Sequence, residues 1–325
     1  MLWFRGVAAI AASCLALAGK PAAAPANPPA AAPKLAVPAP KKPAEATDPK
    51  LDLAYGAYQR GLYVTAFQEA TARLGRDPGD AAAMTLLGEL YNQGLGVRED
   101  AKQALNWYRL AAQRGDARAM ASLAIMAADG RGMAKDLAQA RDWLDKAAAK
   151  GEPTASYNLA LLLLNSGRAE ATRVPTLMRV AADAEIGDAQ HALGVLYARG
   201  EVLPKDTAEA ARWFLRAARN GNIAGEVEYA IALFNGEGTT KNEPMAARFF
   251  RRAAARGNAI AQNRLARLYA TGRGVPRNLI EAAAWHLVAS GQGLSDDWLD
   301  TALRDLPAQD RTRAEQIAAE RAGRS

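Results

Sequence analysis

Cysteine is nearly absent. Cys14 is the only one in 325 residues, and histidine occurs only at His191 and His286. Cys14 lies inside an apolar run from Val7 to Ala18, which follows Arg5 and ends on the small residues Ala16 and Ala18. This is the composition of a secretory signal peptide, and the run falls short of the roughly 20 apolar residues that span a bilayer. Cleavage after Ala18 removes Cys14, so the mature chain is expected to hold neither disulfides nor thiolate metal sites and to be stabilised by packing. The alternatives are an uncleaved anchor, or lipidation of Cys14, which would require a Leu-like residue where Ala11 stands. The two histidines are far apart and neither has metal-ligand spacing around it. The glycines of Gly94-Leu95-Gly96-Val97-Arg98-Glu99-Asp100 precede a helix start, but no G-K-[ST] follows, and a carboxylate at the cap repels an anion. There is no Gly-x-Ser-x-Gly elbow. No catalytic residue, metal or cofactor is expected, and the chain does not read as an enzyme.

Five segments are expected: a signal peptide over 1–18, a linker over 19–50, a helical cap over 51–79, a repeat array over 80–293 and a second cap over 294–325. The linker is dominated by Ala, Pro and Lys. Proline at this density blocks helix and ladder hydrogen bonds and favours an extended, semi-rigid tether. Net charge is +7. Residues 51–187 balance 16 basic against 16 acidic side chains, while residues 188–293 carry 14 against 9. That excess is too small to imply nucleic acid as a partner.

The array is written in a period. Leu87, Leu123, Leu159, Leu193, Tyr229 and Leu265 are equivalent, spaced 36, 36, 34, 36 and 36 residues apart, the mark of a solenoid. Seven residues after the anchor stand Gly94, Gly130, Gly200, Gly236 and Gly272, suited to the left-handed residue that ends a helix. A second glycine follows at Gly96, Gly132, Gly238 and Gly274, with Val202 as the departure. Asp100, Asp136, Asp206, Asn242 and Asn278 come next as N-caps. Each unit therefore reads as helix, tight loop, capped helix. Trp107, Trp143, Trp213, Phe249 and Trp285 stand seven residues past each cap, before pairs of small residues such as Ala111 and Ala112. The regularity of these aromatics points to core packing between units rather than ligand stacking. The third unit departs most: its loop is two residues short, Leu177 replaces the aromatic, and Glu185 replaces the closing glycine. The last segment reads as two helices, one capped by Ser295 and one opening with Pro307.

The pattern spelled by Gly88, Leu90, Tyr91, Gly94, Gly96, Val97, Asp100, Trp107, Tyr108, Ala111, Ala112 and Gly115 resembles the Sel1-like repeat family, relatives of tetratricopeptide repeats. The resemblance implies an all-α fold, a right-handed α/α superhelical solenoid of about six helical pairs with helical caps and a concave face. It also implies an adaptor or scaffold, with exported bacterial members acting in envelope signalling, assembly or host contact. The expected function is an exported, non-catalytic protein-interaction scaffold, with the periplasm as its expected compartment; membrane-anchored or secreted forms are the alternatives. The competing reading is a binder or modifier of cell-wall polysaccharide.

Two surfaces are candidates. Arg212 and Arg248 precede the aromatic in successive units, and Arg216 and Arg252 follow four residues later on the same helix faces, with Arg219, Arg251 and Arg256 near the edges. Such a ladder suits an acidic protein patch, anionic lipid or cell-wall polymer, unless its arginines pair with Glu209 and other carboxylates of the chain. The second surface is Ile125, Leu161, Val195 and Ile231, two residues past the anchors. These either line the concave groove, where they would hold a partner helix or strand, or belong to the core between repeats. His286, beside Trp285, is expected to pack.

Overall fold

The computed structural model describes residues 49–164 and 168–323. The signal peptide and nearly all of the linker lie outside the described residues. The chain forms two compact units that divide between Ala184 and Glu185. The described residues are helical and contain no strand.

The first unit contains α1 (Pro49–Gln59), α2 (Tyr63–Arg76), α3 (Ala81–Gln93), α4 (Ala101–Gln113), α5 (Ala117–Asp129), α6 (Leu137–Ala149), α7 (Pro153–Leu164), the single turn α8 (Arg168–Ala171) and α9 (Val174–Asp183). The second contains α10 (Gly187–Arg199), α11 (Thr207–Arg219), α12 (Ile223–Asn235), α13 (Glu243–Ala255), α14 (Ala259–Thr271), α15 (Leu279–Gly291), α16 (Asp297–Ala302) and α17 (Ala308–Ala322). Within each unit, consecutive helices pack as pairs.

Local chemistry sets each helix boundary. The first helices end on Gly94, Gly130, Gly200, Gly236 and Gly272, all left-handed, where a side chain would be strained. The second helices begin with the side chains of Asp100, Asp136, Asp206, Asn242 and Asn278 accepting from backbone N–H groups of the first turn. An additional set of caps was not foreseen. Asp80, Asp116, Asn222 and Asn258 do the same for α3, α5, α12 and α14. Their signal was present as Asp or Asn placed directly after a turn.

The second loop glycine does more than tighten a turn. A Cβ on Gly238 would lie 1.9 Å from the carbonyl oxygen of Thr207, and one on Gly274 would lie 2.3 Å from that of Glu243. The loop of one repeat thus rests on the backbone opening the second helix of the repeat before it.

In four of the six pairs the core differs from expectation by one residue. In these four the deepest position is Tyr108, Leu144, Met178 or Phe250, each following the expected position, while in the other two Trp213 and Trp285 are as buried as Phe214 and His286 beside them. Trp213 and Trp285 are also buried, but Trp107, Trp143 and Phe249 are only partly so. Adjacent helical residues point about 100° apart, so the later residue faces its own helix partner. The rings of Tyr108 and Phe214 would lie 2.6 Å from a Cβ on Gly88 and Gly194 respectively, which accounts for the glycine beside these two anchors. The anchor leucines are buried, while Tyr229 is partly exposed and meets Phe249 edge-on at 5.1 Å.

In the third pair, Met178 fills the deep position beside Ala181 and Ala182. At the C-terminal end, Asp296 rather than Ser295 caps α16, accepting from Trp298 and Leu299 N–H, and Pro307 is the N-cap of α17.

Candidate interaction surface

Arginines dominate α11 and α13 and their ends. From Thr207 to Arg219 and from Glu243 to Arg256 there are seven arginines and two glutamates. Helical spacing puts Arg212, Arg216 and Arg219 along one side of α11, with Arg248, Arg251 and Arg252 following the same logic on α13.

The structure divides these residues into two groups. Arg216, Arg252 and Arg256 are partly committed to the fold. The Arg216 guanidinium stacks over Trp213 at 4.4 Å and donates to Glu185 at 2.5 Å. Arg252 stacks over Phe249 at 5.1 Å, pairs with Glu226 at 2.8 Å and reaches the Ala218 carbonyl at 3.3 Å. Arg256 pairs with the same buried Glu226 at 3.1 Å and donates to the Gly221 carbonyl at 2.8 Å. Both arginines therefore clasp the C-terminal end of α11, where helix carbonyls favour a cation. The other group points outward. Arg212 is 70 % exposed and contacts Glu209 one turn earlier. Arg251 donates to the Tyr269 hydroxyl at 3.2 Å. Arg219 and Arg248 are exposed and form no ion pair among the described residues.

Glu185 is the one non-glycine residue with positive φ among the described residues, at 64°. It occupies the closing position where five other units have glycine, including Gly221 and Gly257. Asn220, Arg216 and Gln190 all donate to its carboxylate, which lowers its pKa from 4.5 to about 2. These bonds offset the strain of a side chain in the left-handed region.

Buried polar residues were missed by the sequence reading. Gln190, Glu226 and Gln262 are equivalent and buried, and each bonds the residue just past the second helix of its own repeat: Asn220 at 2.7 Å, Arg256 at 3.1 Å and Gln292 at 3.0 Å. Their signal was a polar residue three places before each anchor in the later repeats. The first two repeats carry Met84 and Met120 there.

The candidates on the first helices separate as well. Leu161 and Val195 are buried, at 8 % and 5 % exposure, so the core between helices holds them and they present no open face. Ile125 and Ile231 are partly exposed. His191 lies 5.8 Å from the Phe214 ring, and burial lowers its pKa to about 4 against the attraction of Asp188. His286 is buried beside Trp285 and its Nε2 lies 2.7 Å from Asp300. Among the described residues, no group of three or more His, Cys, Asp or Glu side chains is placed to hold a metal, and no helix is long and apolar enough to cross a membrane.

The family pattern described as Sel1 repeat matches residues 81–116, 117–152, 187–222, 224–258 and 259–294. The chain belongs to the Sel1 repeat family. The unmatched interval between the second and third Sel1 matches is the divergent third unit, so five repeats match where about six were expected. The fold is likewise that of solved Sel1 structures. A Sel1 repeat protein from Oxalobacter formigenes is 24 % identical with a TM-score of 0.62, the likeness covering 75 % of this chain and 97 % of that one. A protective antigen of uropathogenic Escherichia coli, displaying an SLR fold, is 25 % identical with a TM-score of 0.57, covering 85 % of this chain and 68 % of that one. Comparison with curated proteins finds no match. Sel1-repeat proteins generally act as protein-interaction scaffolds, and the family is typically non-catalytic.

Proposed function

We propose that this Sel1-repeat chain is an exported, non-catalytic scaffold that assembles proteins in the bacterial envelope, with the periplasm as its compartment. Export is supported by Arg5, the apolar run Val7 to Ala18 and the small residues Ala16 and Ala18. The observation that carries the scaffold reading is the division of polar groups in the second unit. Buried Gln190, Glu226 and Gln262 each bond a residue of their own repeat, while cations on the second helices remain turned to solvent. A stacked array of helical pairs with an uncommitted polar face suits recognition of another macromolecule better than turnover of a small one.

In-cell cross-linking followed by mass spectrometry tests the proposal. A single defined protein, captured from the periplasmic fraction and retained at physiological ionic strength, is the expected result. Recovery of glycan or lipid without a protein would replace the scaffold by a polymer binder, and recovery of the protein in the cytoplasm with Met1 intact would overturn export.

A further inference from the structure

Resting on the scaffold reading, we propose that the outer side of α11 and α13, centred on Arg212, Arg219, Arg248 and Arg251, is the docking surface for an acidic protein segment rich in Asp and Glu. Three observations specify that partner.

The first is an uncompensated charge. Seven arginines face Asp206, Glu209 and Glu243 along these two helices and their ends, and of the carboxylates the fold adds, Glu185 pairs with Arg216 while Glu226 from α12 is buried beneath Arg252 and Arg256. Those pairs consume the inner arginines and leave Arg219 and Arg248 open. The second is continuity. Arg252 on α13 reaches the carbonyl of Ala218, the residue before Arg219, and Arg256 reaches that of Gly221, so arginines from the α13 side meet the end of α11 that carries Arg219. Arg216 and Arg252 are held in place by stacking on Trp213 and Phe249, which reduces the entropy lost when a partner binds beside them.

The third observation distinguishes carboxylate from membrane. Every cation along the two helices is arginine, whose planar fork matches a carboxylate in two bonds. Binding to a lipid interface draws on apolar side chains inserted beside the cations. Among the described residues of α11 and α13, Met245 is the only exposed large apolar side chain, at the opening of α13. The fold itself already uses these arginines on carboxylates, at Glu185, Glu209 and Glu226.

The test compares four forms of the full chain, the native one and three variants, for binding to fluorescein-labelled poly-glutamate and to vesicles of phosphatidylglycerol in phosphatidylcholine, at an ionic strength of about 0.15 M, where the Debye length is about 8 Å. One variant carries Arg219→Glu and Arg248→Glu. The control carries Arg98→Glu and Lys102→Glu, exposed positions of the first unit, so both variants change net charge equally. Circular dichroism and the melting temperature establish that each form is folded, and Arg219→Ala with Arg248→Ala serves as a second surface variant. The expected result is a loss of at least about tenfold in poly-glutamate affinity for the surface variants, against less than about threefold for the control, as buried charge pairs at interfaces dominate over distant charge. Equal losses in both charge-reversed variants, absence of poly-glutamate binding, or stronger binding to the vesicles overturns the surface. A cross-linked protein partner that survives Arg219→Glu with Arg248→Glu also overturns it while leaving the scaffold reading intact. Absence of any cross-linked protein sinks the scaffold reading instead.

Discussion

Gly61 and Gly238 share a left-handed backbone, with φ of 76° and 70°, but only Gly238 faces another segment at close range. At Gly61 an added Cβ meets nothing within 4 Å, so Gly61→Ala is expected to cost only the conformational penalty, about 1–2 kcal/mol. At Gly238 the same methyl collides with the Thr207 carbonyl, so Gly238→Ala is expected to cost about 2–5 kcal/mol, the backbone penalty plus that of overpacking. Urea unfolding of the two variants checks the difference. Ionisation at two residues also has a defined sign. Glu185 has its pKa lowered from 4.5 to about 2, so its contribution is fully present above pH 4.5 and is lost as pH falls toward 2. His191 has its pKa lowered from 6.5 to about 4, so the folded state loses stability relative to the unfolded as pH falls from 6.5 toward 4. In urea midpoints measured across this range, Glu185→Gln is expected to flatten the lower window and His191→Phe the upper one. Crossed assignments would refute these environments.

Helices here are closed by side chains that are legible one at a time. Asp206 accepts from Glu209 N–H at 2.9 Å, satisfying one of the donors that a helix start leaves open. Asp206→Ala is expected to cost about 1 kcal/mol, measured as a shift in the chemical midpoint, and Asp206→Asn distinctly less. The caps of the second helices, the glycine ends and the helical pairs were all readable because each is a local rule within one turn. The position of the deepest core residue was not. Trp107 and Tyr108 are neighbours of similar apolar character, and only the direction of the partner helix decides that Tyr108 is fully buried with its hydroxyl 2.7 Å from Glu89. The same decision places Met178 in the pair where the aromatic is missing.

On the scale of the whole molecule, the final segment acts as a cover. Asp296 receives two bonds from Arg267, at 2.6 and 2.8 Å, and one from Asn263 at 2.7 Å. Burial works against its charge, but these bonds outweigh burial and its pKa is lowered. Arg321 lies 4.0 Å over Trp285 and donates to Glu281 at 2.8 Å. Removing residues 294–325 would uncover Trp285 and strip the partners from Arg267 and Glu281. The truncated chain is expected to melt at least about 2 °C lower, as for a loss of about 1 kcal/mol or more in a domain of this size, and to self-associate by sedimentation. An unchanged melting temperature would show that the segment covers nothing of consequence. The amino-acid sequence by itself determined the period, the all-helical class, the second-helix caps and the Sel1 family, because these depend on spacing within a single repeat. Tertiary structure alone decided which arginines are spent inside the fold and which stay open, and that Leu161 and Val195 are core, because pairing and burial depend on groups some 30 residues away that folding brings together.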